Sequence, residues 1–299
     1  MAENNSNPDP PASFLERFTV LGGASRELWL TFVVKFLGVM AYKVTTLTLV
    51  LWLSADLGFG DKSALGLVAA WSLAMTVMTL VVGSLTDAIG LRRTFFLGVW
   101  TCIAARAVMA FTTIPWLALG AGLFPLAVGE ALGTPVLVAA VRKYSTTRQR
   151  SIGFSLFYTI MNLGFLVAAF VFDGVRQGVG ERGHLTLPLI STPLSAYRTL
   201  LLAALGIEIA ILPVLWFIRR GAEMTDDGLR ITAEDGTKRS AGLVAALWLT
   251  VNESIRGTIS LFAGLLRQTG FYRLLAFLML IAFLKLIFMQ MDYVFPKFG

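Results

Sequence analysis

Six ionisable residues stand inside runs of sequence that are otherwise apolar: Lys35, Lys43, Arg106, Glu130, Glu208 and Lys285. At the middle of a bilayer such a side chain costs at least ~2.5–3.5 kcal/mol on insertion scales, so it faces a cavity or a partner. Lys35, Gly38, Tyr42 and Thr46 fall on one helical stripe, at spacings of three, four and four. Lys43 lies on the neighbouring flank, near the centre of its run, and Glu130 and Asn162 lie near the centres of theirs. Polar groups from separate segments thus share one depth, where membrane transporters bind their solutes. A Lys–Glu pair that only fixes helix packing is the alternative. The same inspection assigns no role to Arg106 or Glu208. It reads Asp292 as either a gate residue or an interfacial charge.

Other chemistries lack their parts. The chain has one cysteine, Cys102, in an apolar run, and one histidine, His184, in a connection. Neither a disulfide within the chain nor a Cys/His metal site is expected, and a single loop histidine supports no Ser/His/Asp arrangement. There is no Gly-rich loop ending in Lys-Ser/Thr to cradle a nucleotide phosphate. No enzyme activity, metal or cofactor is expected.

The elements that must position these groups are membrane helices. The sequence is 56% hydrophobic and 14% charged, with mean hydropathy +0.74, against about 45–50% and 25% in soluble domains. Segments near 29–54, 63–84, 94–112, 116–141, 151–172, 198–218 and 272–294 are each long and apolar enough to span a bilayer. The net charge of +7 reflects topology rather than nucleic-acid binding. Arg92 and Arg93, then Arg142, Lys143, Arg148 and Arg150, then Arg219 and Arg220 cluster in alternate connections, which puts the N-terminus in the cytoplasm. Residues 1–28 read as a disordered cytoplasmic tail, 29–218 as a six-helix bundle, 219–271 as a cytoplasmic linker and 272–299 as a seventh span. The linker begins with a polar stretch suited to a small hairpin. It continues as a helix whose Asn252, Glu253 and Arg256 favour the bilayer surface over a span. Residues 173–197, with Pro188 and Pro193, are expected to be non-helical, LTLPL forming a strand or an extended cap. Trp29, Trp52, Trp100, Trp116 and Trp216 lie mostly near span ends and read as interface anchors.

Between the second and third spans stands GSLTDAIGLRR. It resembles the loop motif of the major facilitator superfamily, G-x-x-x-D-x-x-G-R-K/R-K/R, through Gly83, Asp87, Gly90, Arg92 and Arg93, with Leu91 where a basic residue is common. Gly83 permits close helix approach, Asp87 can accept charge-assisted hydrogen bonds, and Gly90 suits a turn with positive φ. In that family the cluster is a cytoplasmic gate latch between two halves.

A second segment, FSLFYTIMNLG, is similar to the signature of the proton-dependent oligopeptide transporter branch. Phe154, Ser155, Phe157, Tyr158, Asn162 and Gly164 match, as do GEALGTP (Gly129–Pro135), LWLSADLGF and, more loosely, Gln290. The branch's E-x-x-E-R motif is absent from the first span, and Thr134 stands where its lysine would be. These departures put the resemblance on the fold rather than on proton-coupled peptide transport.

The resemblance implies an all-α membrane protein: a major facilitator six-helix N-terminal bundle, a cytoplasmic linker with an interfacial helix, and the first helix of a C-terminal bundle. In that family the first, fourth and seventh helices line the cavity. Lys43 and Glu130 are therefore expected to face one another, with Tyr42, Tyr158 and Asn162 contacting the solute and Lys35 and Lys285 along its path. The implied activity is secondary active transport of a small solute by alternating access, as symport with a proton or another ion, in the plasma (inner) membrane. A transport-inactive receptor or assembly partner is the alternative. Because a major facilitator has two six-helix bundles, the sequence is expected to be part of a longer protein. The partners are then the solute, a coupling ion, the lipid bilayer and the missing C-terminal bundle, with no nucleic acid.

Overall fold

The computed structural model describes residues 20–180, 183–187, 190–219, 221–225, 228–231, 264 and 266–298. Its long helices are α1 (Arg26–Leu51), α2 (Asp61–Ile89), α3 (Leu91–Phe111), α4 (Pro115–Tyr144), α5 (Thr147–Val179), α6 (Ala196–Trp216) and α7 (Thr269–Phe298). Among the described residues, α1 to α6 are each long and apolar enough to cross a membrane. They coincide with the first six apolar segments of the sequence and mostly extend beyond them by a few residues.

Local chemistry sets where the helices start and stop. Ser25 caps α1 by accepting from the Leu28 amide at 3.3 Å, and its hydroxyl donates to the Tyr144 carbonyl at 2.7 Å. One side chain thus closes the start of α1 onto the end of α4. Thr146 and Gln149 form a reciprocal capping box at the start of α5. Gly90, with φ of 87°, reverses the chain between α2 and α3 without an intervening loop. Within α1 the hydroxyls of Thr31, Thr45, Thr46 and Thr48 bond to the carbonyls four residues before them. These buried polar groups are satisfied without water.

Helix α1 packs against α5 and α6, α3 against α4 and α6, and α2 against α4. The α3–α4 seam is the tightest. A Cβ on Gly129 would lie 2.6 Å from Cys102 Sγ and 3.0 Å from its amide nitrogen. Small residues at such seams let backbones approach, which replaces the hydrophobic driving force that lipid cannot supply. Gly164 does the same for α5 on α1, where a Cβ would meet the Phe36 carbonyl at 3.2 Å.

Two antiparallel hairpins complete the described fold. Strands β1 (His184–Leu187) and β2 (Ile190–Ser195) join α5 to α6, and the described part of LTLPL, Leu185–Leu187, is the extended structure expected there. Strands β3 (Ala222–Thr225) and β4 (Gly228–Ile231) follow α6, in register from Ala222–Ile231 to Thr225–Gly228, where the sequence suggested a small hairpin. The expected surface helix of the linker lies outside the described residues.

At the hairpin β1–β2 end, Ser195 caps α6, accepting from the Arg198 amide, and its hydroxyl donates to Asp56 at 2.5 Å. Arg198 lies 3.9 Å from Asp56 and donates to the Thr112 carbonyl at 2.5 Å, so the ends of α1, α3 and α6 meet there. At the opposite end Arg92 donates to the Trp216 carbonyl at 3.2 Å, and Arg219 lies 3.7 Å from Glu27. The tryptophans divide: Trp116 and Trp216 are 82% and 73% exposed, but Trp52 is fully buried. The anchor reading therefore fails for Trp52, which falls on the inward side of α1 among Leu49 and Leu53 of the same core cluster.

Candidate functional site

A cavity of about 260 Å³ opens between the helices. Its walls are mostly apolar, including Val34, Val39, Phe95, Val99, Leu132 and Ile211, and three acidic or basic side chains border it: Lys35, Glu130 and Glu208. Tyr42, Gly38 and Thr134 border it too. The stripe of α1 read from spacing thus puts Lys35, Gly38 and Tyr42 on the cavity, with Tyr42 stacked on Trp71 at 6.2 Å between ring centroids.

Behind the cavity wall sits a charge cluster that the sequence reading did not assemble. Arg106, on α3, is completely buried. Its Nη1 donates to Glu208 Oε2 at 2.9 Å, its Nη2 pairs with Glu130 Oε1, and its Nε donates to Thr45 Oγ1 at 3.1 Å. One planar guanidinium thereby joins α1, α3, α4 and α6, using each of its nitrogens. A buried charge is tolerable only when it is paired and its remaining hydrogen-bond capacity filled. The rigid fork of an arginine fits this task better than the point charge of a lysine. Glu130 is the outer member of the cluster, its side chain 14% exposed against 6% for Glu208.

Glu130 is accordingly partnered by Arg106 and not by Lys43. The Lys43 nitrogen sits over the Phe165 ring, 5.3 Å from its centroid, because its flank of α1 turns toward α5 rather than α4. Tyr158 and Asn162 are exposed, Tyr158 at 55%. On α5 the residues that border this cavity are Met161 and Phe165. Of the loop motif, Gly90 makes the turn, Arg92 caps the end of α6 and Arg93 is exposed. Gly83 and Asp87, and Lys285 on α7, lie outside the described side chains.

Lys35 is 3% exposed, and its nitrogen lies 4.4 Å from the centroid of the Phe157 ring. Phe157 is itself buried, at 1% exposure. The cation is thus held against an aromatic face at the edge of the cavity.

The helix order, the charge cluster inside the bundle and the Gly90–Arg92 turn accompany a profile match. The description Major Facilitator Superfamily fits residues 31–299. The chain belongs to the major facilitator superfamily. With its membrane-length helices, this makes it a multi-pass integral membrane protein. Among curated proteins nothing matches. Solved structures share the major facilitator fold at low identity. A bacterial homologue of the human drug peptide transporters PepT1 and PepT2 is 18% identical with TM-score 0.54, covering 89% of this chain and 55% of that one. A peptide transporter POT in complex with alafosfalin is 19% identical with TM-score 0.57, covering 82% and 52%. The chain therefore spans about half the length of these peptide transporters.

The missed residues carried a signal. Gly98, Cys102 and Arg106 stand four apart on α3, so Arg106 shares its face with the small residues of the α3–α4 seam.

Proposed function

We propose that this protein is a secondary active transporter that moves a small solute by alternating access, coupled to a proton or another ion, with the cavity walled mainly by α1, α3 and α4 on its path. The observation that carries the reading is Glu130. It borders an apolar cavity while bonded to a guanidinium that is shared with Glu208. The cluster has two carboxylates for one guanidinium, and Glu130 is the one nearer the cavity. A proton or cation arriving there leaves Arg106 still paired with Glu208, so the ion can come and go without stranding a buried charge.

The basic end of the bundle, with Arg92, Arg93, Arg142 and Lys143, is the cytoplasmic end in this reading, in a plasma or inner membrane. The exposed apolar faces of α2 and α5 would receive a second bundle. Proton or other ion coupling is supported by the position of Glu130 and by the family. A peptide substrate is named for the similar structures alone.

The experiment is uptake into proteoliposomes of small labelled solutes, grouped as acids, amines and amino acids, with and without an inward proton gradient. Saturable uptake that Glu130→Gln abolishes is the expected result. A folded, reconstituted protein that moves none of them, with Glu130→Gln indistinguishable from wild type, would instead favour a receptor or assembly partner built on the transporter fold.

A further inference from the structure

Of the charges at the cavity, one makes no contact ion pair. Glu130 and Glu208 are both bonded to Arg106. Lys35 is buried at 3% exposure, with the Phe157 ring beneath its nitrogen. Among the described residues no carboxylate oxygen lies within the 4.0 Å of an ion pair and no acceptor bonds it. Glu130 acts on it from beyond that distance, and an aromatic face replaces only part of an ammonium's hydration. Lys35 borders a mostly apolar cavity of about 260 Å³ that Glu130 and Glu208 also border, at the small end of ligand pockets.

We infer that Lys35 is the anchor for the anionic group of a small organic acid. This rests on the reading of the cavity as the solute's path, and it narrows the solute's class. An anion at Lys35 gains a charge-assisted hydrogen bond in a water-poor site. Its apolar body fits walls such as Val34, Val39, Val99 and Leu132. A cationic solute would have to share Glu130 with Arg106, whereas an anion at Lys35 displaces no contact ion pair. A zwitterion places one charge well and the other poorly. The site therefore prefers a monoanion to its neutral amide, to an amine of like shape and to an amino acid.

The test is equilibrium binding to the purified protein in detergent. Benzoate, benzamide, benzylamine and phenylalanine serve as probes, followed by thermal stabilisation and by calorimetry. Benzoate should bind at least about ten-fold more tightly than the other three, the size of one lost charge-assisted hydrogen bond. Lys35→Met should remove that preference and Lys35→Arg should keep part of it. Equal binding of benzamide, or tighter binding of benzylamine or phenylalanine, would overturn the inference, and this order is read on wild-type protein even where a variant does not fold. Benzoate binding unchanged in a folded Lys35→Met would overturn it equally. The two readings fail separately. Anion-selective binding without uptake sinks the transport reading alone, and uptake of amines but not acids sinks the anion site alone.

Discussion

Arg106 and Glu208 stand 102 positions apart in the chain and meet at 2.9 Å inside the bundle. Their contact crosses from α3 to α6, and the same guanidinium reaches Glu130 on α4 and Thr45 on α1. Replacing Arg106 by leucine leaves two carboxylates in a dry interior. The expected cost is about 3–5 kcal/mol, the usual penalty for breaking a buried pair from one side. Thermal unfolding in detergent should show this as a large fall in midpoint. Adding Glu208→Leu to Arg106→Leu should restore part of the loss, because one stranded carboxylate is removed with its partner. A double variant as unstable as the sum of the singles would mean that the two side chains do not interact.

The α3–α4 seam makes a sterically specific prediction. Gly129→Ala places a methyl group 2.6 Å from Cys102 Sγ, and overpacking of this kind costs about 1–3 kcal/mol. The displaced backbone would also lengthen the Arg106–Glu130 contact one residue away. Cys102→Ala should relieve part of the cost but not all, since the Cys102 amide nitrogen remains at 3.0 Å. Unfolding midpoints of the two single variants and the double variant check this.

Gly90 turns the chain with φ of 87° and ψ of 150°, a region populated almost only by glycine, where other residues pay about 1–3 kcal/mol. Gly90→Ala should therefore lower stability by that amount. A neutral effect would show that the α2–α3 connection adopts another conformation in the folded protein.

At the hairpin end, Arg198→Met removes the donor to the Thr112 carbonyl and the charge beside Asp56. One orphaned carbonyl and a weakened junction of α1, α3 and α6 should cost about 1–3 kcal/mol. The β1–β2 hairpin should be cleaved faster by added protease. Unchanged cleavage would place the stability of that end elsewhere.

The helices were plain in the sequence because lipid demands long apolar runs, and the hairpins because Pro, Gly and polar residues interrupt them. The partners of the charges were not. Depth along a helix can be read from position, but rotation about its axis is set by neighbours. Lys43 and Glu130 share a depth and still face different helices. Sequence alone assigns no role to Arg106 or Glu208, because their partners lie on other helices. Yet Leu201, Ala204, Glu208, Ile211 and Leu215 recur at three- and four-residue spacing and are all buried, so Glu208 sits in the middle of a packing face. Tyr158 and Asn162 matched a family signature, but that match carried no information about which wall of the bundle they would join.

The shared guanidinium also sets an order of assembly. Glu130 follows Arg106 by only 24 residues, so α3 and α4 can enter the membrane as a hairpin whose charges already offset one another. Glu208 is made later, after a further 78 residues by difference (102 less 24), which is about 4–16 s at typical synthesis rates. Until α6 arrives, Nη1 of Arg106 must find water, lipid headgroups or the insertion machinery itself. Glu208 is the residue whose arrival ends the interval in which the guanidinium has only its α1 and α4 partners.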